Sequence, residues 1–194
     1  MKQVILCAAV LLGLFATLAP AQAVTPPFVS VTCSAGVTGC AFALDDQFPP
    51  EGQQWQDQTA WWRNFNDNVT YQLDSTYMLT GLTVSLDNND TYLIGASVDG
   101  NTWFTVLTVW GFLGSDSDGM DTFSTIIGNP FFHANLNFIP AMASQIRIVV
   151  MDDTGDGLSS VGELQVTAVP EPATWLLMAS GLALVGLRRH RRIR

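Results

Sequence analysis

The side chains of this sequence that could do chemistry fall into two groups: carboxylates packed into short polar runs, and aromatic rings near them. Asp116-Ser117-Asp118-Gly119-Met120-Asp121 and Asp152-Asp153-Thr154-Gly155-Asp156-Gly157 carry the hard oxygens and glycines of cation-binding loops. Calcium needs about six to eight such oxygens, from carboxylates and backbone carbonyls together. The first run lacks the ligand spacing and closing Glu of an EF-hand, so a solvated hairpin is its simpler reading, and the second is ambiguous. Trp55, Trp61, Trp62 and Trp110, with Phe112, lie near expected loops, where a flat apolar ring complements the C–H face of a pyranose. These are the candidate glycan contacts, although rings of this size are more often buried. Trp103, just after Asp99-Gly100, is expected inside.

Catalysis finds less support. Between Val24 and Val169 there is a single histidine, His133, and no G-x-S-x-G nucleophile motif. A glycosidase needs only two opposed carboxylates, but in so acidic a chain such pairs arise by chance. One histidine and two cysteines do not make a zinc site. The expectation is a protein that is not an enzyme.

Charge narrows the partners further. The same stretch holds sixteen Asp and Glu against two basic residues, Arg63 and Arg147, a balance of −14. Nucleic acid is excluded as a partner, because phosphate affinity needs clustered Lys and Arg. An acidic body suits a protein outside the cell that meets cations or neutral polymers.

The two ends of the 194-residue chain read as addresses. Lys2, the apolar stretch Val4 to Leu18 and Ala21-Gln22-Ala23 form a secretory signal peptide over residues 1–23. Cys7 leaves with it, and Cys33 and Cys40 remain to close a short loop. In an oxidising compartment they predict a disulfide, with free thiols or half a metal site as the rival reading.

Val169-Pro170-Glu171-Pro172 precedes an apolar span over 173–187, followed by Arg188, Arg189, His190, Arg191 and Arg192. As a helix the span reaches only ~23 Å against a hydrocarbon core of ~30 Å, and the arginines hold the extreme C-terminus on the cytoplasmic side. This order resembles the PEP-CTERM sorting signal. The resemblance implies recognition of Pro170, Glu171 and Pro172 by exosortase, a membrane protease-transpeptidase, and a destination at the cell surface or in an exopolysaccharide matrix. The chain would be anchored in the inner membrane only transiently.

Between the ends, short β-like runs alternate with turns. Strands are expected at Thr70 to Leu73, Leu79 to Leu86, Thr91 to Val98, Thr102 to Trp110, Gln145 to Met151 and Glu163 to Ala168. Asp87-Asn88-Asn89-Asp90 and Asp99-Gly100 are turns, residues 24–42 a lead-in, and 111–137 an unassigned loop region. No helical apolar periodicity extends through the body. The expected fold is all-β, a single antiparallel jelly-roll β-sandwich over 43–168, flanked by the signal peptide and by a sorting segment over 169–194 with a short transmembrane helix.

The stretch from Ala43 to Thr167 resembles the discoidin, or coagulation factor five/eight C-type, sandwich shared by carbohydrate-binding modules. The matching pieces are Asp45-Asp46 with Gly52 and Trp55, Thr80 to Val84, Tyr92-Leu93-Ile94 with Ser97-Val98-Asp99-Gly100 and Trp103, Gln145-Ile146-Arg147-Ile148, and Ser160 to Val166. The resemblance implies polysaccharide binding and a structural Ca2+ held by Asp46, with Asp45 beside it, and by Glu163. The alternatives are a structural or adhesive matrix protein without a sugar ligand, and a small secreted glycan hydrolase.

Overall fold

Val69, Tyr71 and Leu73 alternate with Thr70 and Gln72, and Ile146, Ile148 and Val150 with Arg147 and Val149, so each run has one face to bury and one to leave half-open. The computed structural model describes residues 23–114, 119–152 and 157–169, and within it these runs pair. The strands are β1 (Phe28–Cys33), β2 (Ala60–Trp62), β3 (Asn68–Asp87), β4 (Thr91–Ser97), β5 (Phe104–Val109), β6 (Met120–Ser124), β7 (Ala141–Asp152) and β8 (Ser159–Val169). Two short 3-10 turns, Cys40–Leu44 and Gly111–Leu113, complete the elements.

Every strand pairing is antiparallel, in the order β2-β8-β3-β7-β4-β5, with β1 and β6 also on β3. The 20-residue β3 makes the sandwich. Its first part lies between β1 and β7, and its second between β8 and β6. The register breaks between Gln72 and Tyr77, where Asp74 and Ser75 are exposed. A polar corner splits the hydrophobic pattern there while the backbone runs on, which is why the sequence reads as two strands.

Between the layers lie Tyr71, Leu82, Val84, Tyr92, Ile94, Ile146, Ile148 and Leu164, all fully buried. Each such side chain contributes about 1.5–3 kcal/mol relative to exposure. Trp62 is among them, edge-on to Tyr92 at 6.4 Å and 86°.

Three elements depart from the sequence reading. β1 falls in the expected lead-in yet pairs with β3 from Phe28 to Cys33, and Val24 bridges Ala168 with N···O distances of 2.7 and 2.9 Å. The sandwich therefore begins at Val24 and not at Ala43. β2 is a three-residue strand, too short to show a period. β6 lies in the unassigned region and is buried on both faces, so it shows no alternation.

Cys33 and Cys40 are joined, with a Cα separation of 6.0 Å. The link ties the end of β1 to the Cys40–Leu44 turn. In the loop-entropy account a closure this short contributes about 2.5 kcal/mol. Replacing both cysteines by serine is expected to lower unfolding stability by that order in urea melts; an unchanged midpoint would show that the loop is held by other contacts.

Candidate functional site

The candidate residues separate into three places. Glu163, on β8, is 1% exposed and meets the loop that follows the Cys40–Leu44 turn. Its Oε2 accepts the Asp46 amide at 2.8 Å and the Asp45 amide at 3.1 Å, and its Oε1 accepts the Leu164 amide at 3.0 Å. Asp46 takes a left-handed φ of 63°, which turns two successive amides toward one oxygen. Asp45 Oδ1 accepts the Gln47 amide. Burial pushes the Glu163 carboxyl up to about 7, against the opposing pull of the Leu164, Asp46 and Asp45 amides.

The structure thus brings the expected calcium residues together through N–H donors. Calcium needs converging oxygens, whereas Glu163 is occupied by three amides. Among the described residues no three His, Cys, Asp or Glu side chains gather to hold a metal. The arrangement is a carboxylate pinning a loop, and it does not fit the implied ion.

Of the tryptophans, Trp62 is in the core and has no face for a sugar, which corrects its reading as a glycan contact. It occupies the buried phase of β2, whereas Trp61 points the other way. Trp55 and Trp61 are half-buried and pack edge-on at 5.3 Å and 77°. The Trp55 carbonyl accepts the hydroxyls of Ser160, at 2.7 Å, and of Thr59. This pair closes the β2 end of the strand order.

Trp110 stands at the other end, just past β5. It is 43% exposed, and Phe112, on the Gly111–Leu113 turn, is 80% exposed. Their rings stack at 6.1 Å and 18°, forming a nearly flat apolar step. Beside them runs a cleft of about 260 Å3 lined by Thr105, Thr108, Trp110, Asn135, Asn137 and Ile139, among others. The far wall is held by the Ile139 amide on the Val106 carbonyl at 2.8 Å. Leu136 and Phe138 pack on the core, which leaves Asn135 and Asn137 exposed. That alternation, Asn135-Leu136-Asn137-Phe138, was the available sequence signal for these polar residues.

Trp103 also departs from expectation. It is half-buried, its indole N–H donates to the Gly100 carbonyl at 3.1 Å, and the Arg147 guanidinium lies 3.9 Å above its ring. Asp99 shapes this turn by accepting the Thr102 and Asn101 amides, which hold its carboxyl down to about 2. His133, the one histidine of the body, tilts against Phe123 at 5.8 Å.

The turn at Asp87 to Asp90 is buried and not solvated. The Asn88 side-chain amide donates to Asp121 at 3.3 Å, and the Tyr92 hydroxyl donates to Asp90 at 3.2 Å while accepting the Ser160 amide at 2.8 Å. Residues 115–118 and 153–156 of the acidic runs lie outside the described residues. So do residues 1–22 of the signal peptide, Pro170, Glu171, Pro172, the 173–187 span, Arg188, Arg189, Arg191 and Arg192.

Fold and register together define an antiparallel all-β sandwich. The CBM32 of AlyQ, solved in complex with 4,5-unsaturated mannuronic acid, is similar to it in fold at a TM-score of 0.50 and 14% identity, covering 74% of this chain and 97% of that one. Truncated AlyQ with CBM32 and alginate lyase domains is similar at a TM-score of 0.49 and 17% identity over 78% of this chain; the match spans 35% of that chain. Chitosan-binding module 1 of the chitosanase/glucanase from Paenibacillus sp. IK-5 aligns at a TM-score of 0.44 and 17% identity, covering 71% of this chain and 92% of that one. No curated protein matches the chain. Residues 168–192 match the PEP-CTERM protein-sorting motif, so the chain carries that sorting signal, which begins at the last two residues of β8.

Proposed function

We propose that this is an exported surface or matrix protein, processed at its PEP-CTERM tail by an exosortase-type enzyme, whose sandwich holds a glycan without cleaving it. The sorting motif at 168–192 supports the destination. The observation that carries the binding reading is the Trp110 and Phe112 step beside a cleft lined by Asn135, Asn137 and Thr108. Rings offer the apolar face of a sugar a partner, and amides and hydroxyls take its oxygens. Large apolar side chains left exposed together on a soluble face mark interaction sites more often than chance. The fold's likeness to the CBM32 of AlyQ, solved in complex with 4,5-unsaturated mannuronic acid, supports the same reading.

The test is retention on exopolysaccharide purified from the producing organism. Trp110→Ala and Phe112→Ala are each expected to weaken retention by about tenfold, a loss of about 1.4 kcal/mol. Because both rings are exposed, thermal midpoints should stay near that of the wild type. Retention unchanged in both variants would sink this site, and a wild type that binds no glycan would leave a structural matrix protein.

A further inference from the structure

We infer that the cleft beside Trp103 continues the Trp110 groove, and that Arg147 selects a carboxylate-bearing sugar, a uronate, within a glycan chain lying along β5. The inference rests on the glycan-binding reading above and names its ligand class.

Thr105 lines both clefts, so they share a wall on β5. The second, of about 170 Å3, holds Trp103, Phe104 and Arg147, and Phe104 is 64% exposed. β5 ends the strand order. From Trp103 to Trp110, at ~3.3 Å per residue, the groove runs roughly 23 Å. That length suits several consecutive sugar units more than a single chain end.

Charge sets the class. Arg147 is one of two cations between Val24 and Val169, and Arg63, the other, sits exposed in a loop. Among the described residues the Arg147 side chain has one hydrogen-bond partner, Thr70 Oγ1, at 3.3 Å from Nε. The terminal nitrogens keep their donors for a ligand. Trp103 fixes the guanidinium plane from below, and is itself fixed by its bond to Gly100. A planar fork gives a carboxylate two parallel charge-assisted bonds, which a neutral hydroxymethyl cannot accept in the same way. The other lining residues, Leu93, Gly95, Phe104, Thr105 and Val149, bring no acid into the cleft. The acidic remainder of the body repels a polyanion at long range, but at physiological ionic strength that field is screened beyond ~8 Å. At contact distance the local cation decides.

The experiment titrates the full chain, in detergent, with polygalacturonate and with the same polymer after carboxyl reduction. The wild type is expected to bind the carboxylated polymer about tenfold more tightly. Arg147→Gln should lose that preference and keep its affinity for the reduced polymer. Arg147→Lys, which retains charge and stem but not the fork, should keep part of it, and it replaces the glutamine variant as the reading if that variant does not fold. Equal binding of the two polymers, no binding of the polyuronate, or a preference surviving in both variants overturns the inference. Failure of the broader reading looks different: Trp110→Ala would leave binding of both polymers unchanged.

Discussion

Trp62→Ala is expected to remove about 3–5 kcal/mol of folding stability, the usual loss when a buried Trp is cut to a methyl and its cavity stays open. The ring is 0% exposed and meets Tyr92 edge-on. Tyr92 in turn accepts the Ser160 amide and donates to Asp90, so the loss spreads to the β2 and β8 end of the sandwich. Domains of this size hold about 5–15 kcal/mol in all, and the variant would therefore sit close to unfolding. Glycan retention per folded molecule should be unchanged, because Trp62 faces no solvent. Urea unfolding alongside retention separates the two effects. A stable Trp62→Ala with lost retention would return this residue to the binding surface.

The second large effect concerns Glu163 and pH. Its folded carboxyl titrates near 7, raised from an ordinary 4.5 chiefly by burial. Folding therefore favours the protonated form, and the stability this gives is complete below pH 4.5 and lost as pH rises through about 7. A shift of this size corresponds to about 3 kcal/mol. Glu163→Gln cannot ionise yet keeps an oxygen for the Asp45 and Asp46 amides. The difference in unfolding free energy between wild type and this variant should move by about that amount between pH 4.5 and 7.5, the wild type losing ground as pH rises. A difference flat across that range would mean that Glu163 is ionised throughout and well solvated by its amides. Glu163→Ala, leaving three amides without their acceptor, should be less stable than Glu163→Gln at every pH.

Much of the sandwich was legible in the sequence because its longest strands alternate. β4, β5, β7 and β8 follow runs such as Tyr92-Leu93-Ile94 and Ile146-Arg147-Ile148 in which one face is apolar. The strands that escaped lack that contrast. β1 is half-open along most of its length, and β6, Met120–Ser124, is buried throughout although it carries Asp121, Thr122 and Ser124. The aromatic site was readable by residue type but not by position. Trp61 and Trp62 are adjacent, and only their place on β2 sends one to the core. Trp103 reads as core from its Asp-Gly turn, yet the turn leaves its face under Arg147, a pairing that arises from the contact of β4 with β7. Asp45, Asp46 and Glu163 do meet, but sequence shows carboxylates and not the amides that reach them first.

The bridge between Val24 and Ala168 bears on timing. The sandwich's first residue finds its partner only in its last strand, and β8 also supplies the neighbours of β2 and of the second part of β3. Contacts so distant along the chain form late, since the whole intervening loop must be closed before they contribute. A chain crossing a membrane from its N-terminus cannot complete this fold until residue 169 has emerged, and the sorting motif spans 168–192. Folding of the body and presentation of the tail are therefore nearly simultaneous events, and a chain caught earlier would expose β3 without its partner β8, a template for pairing with other chains.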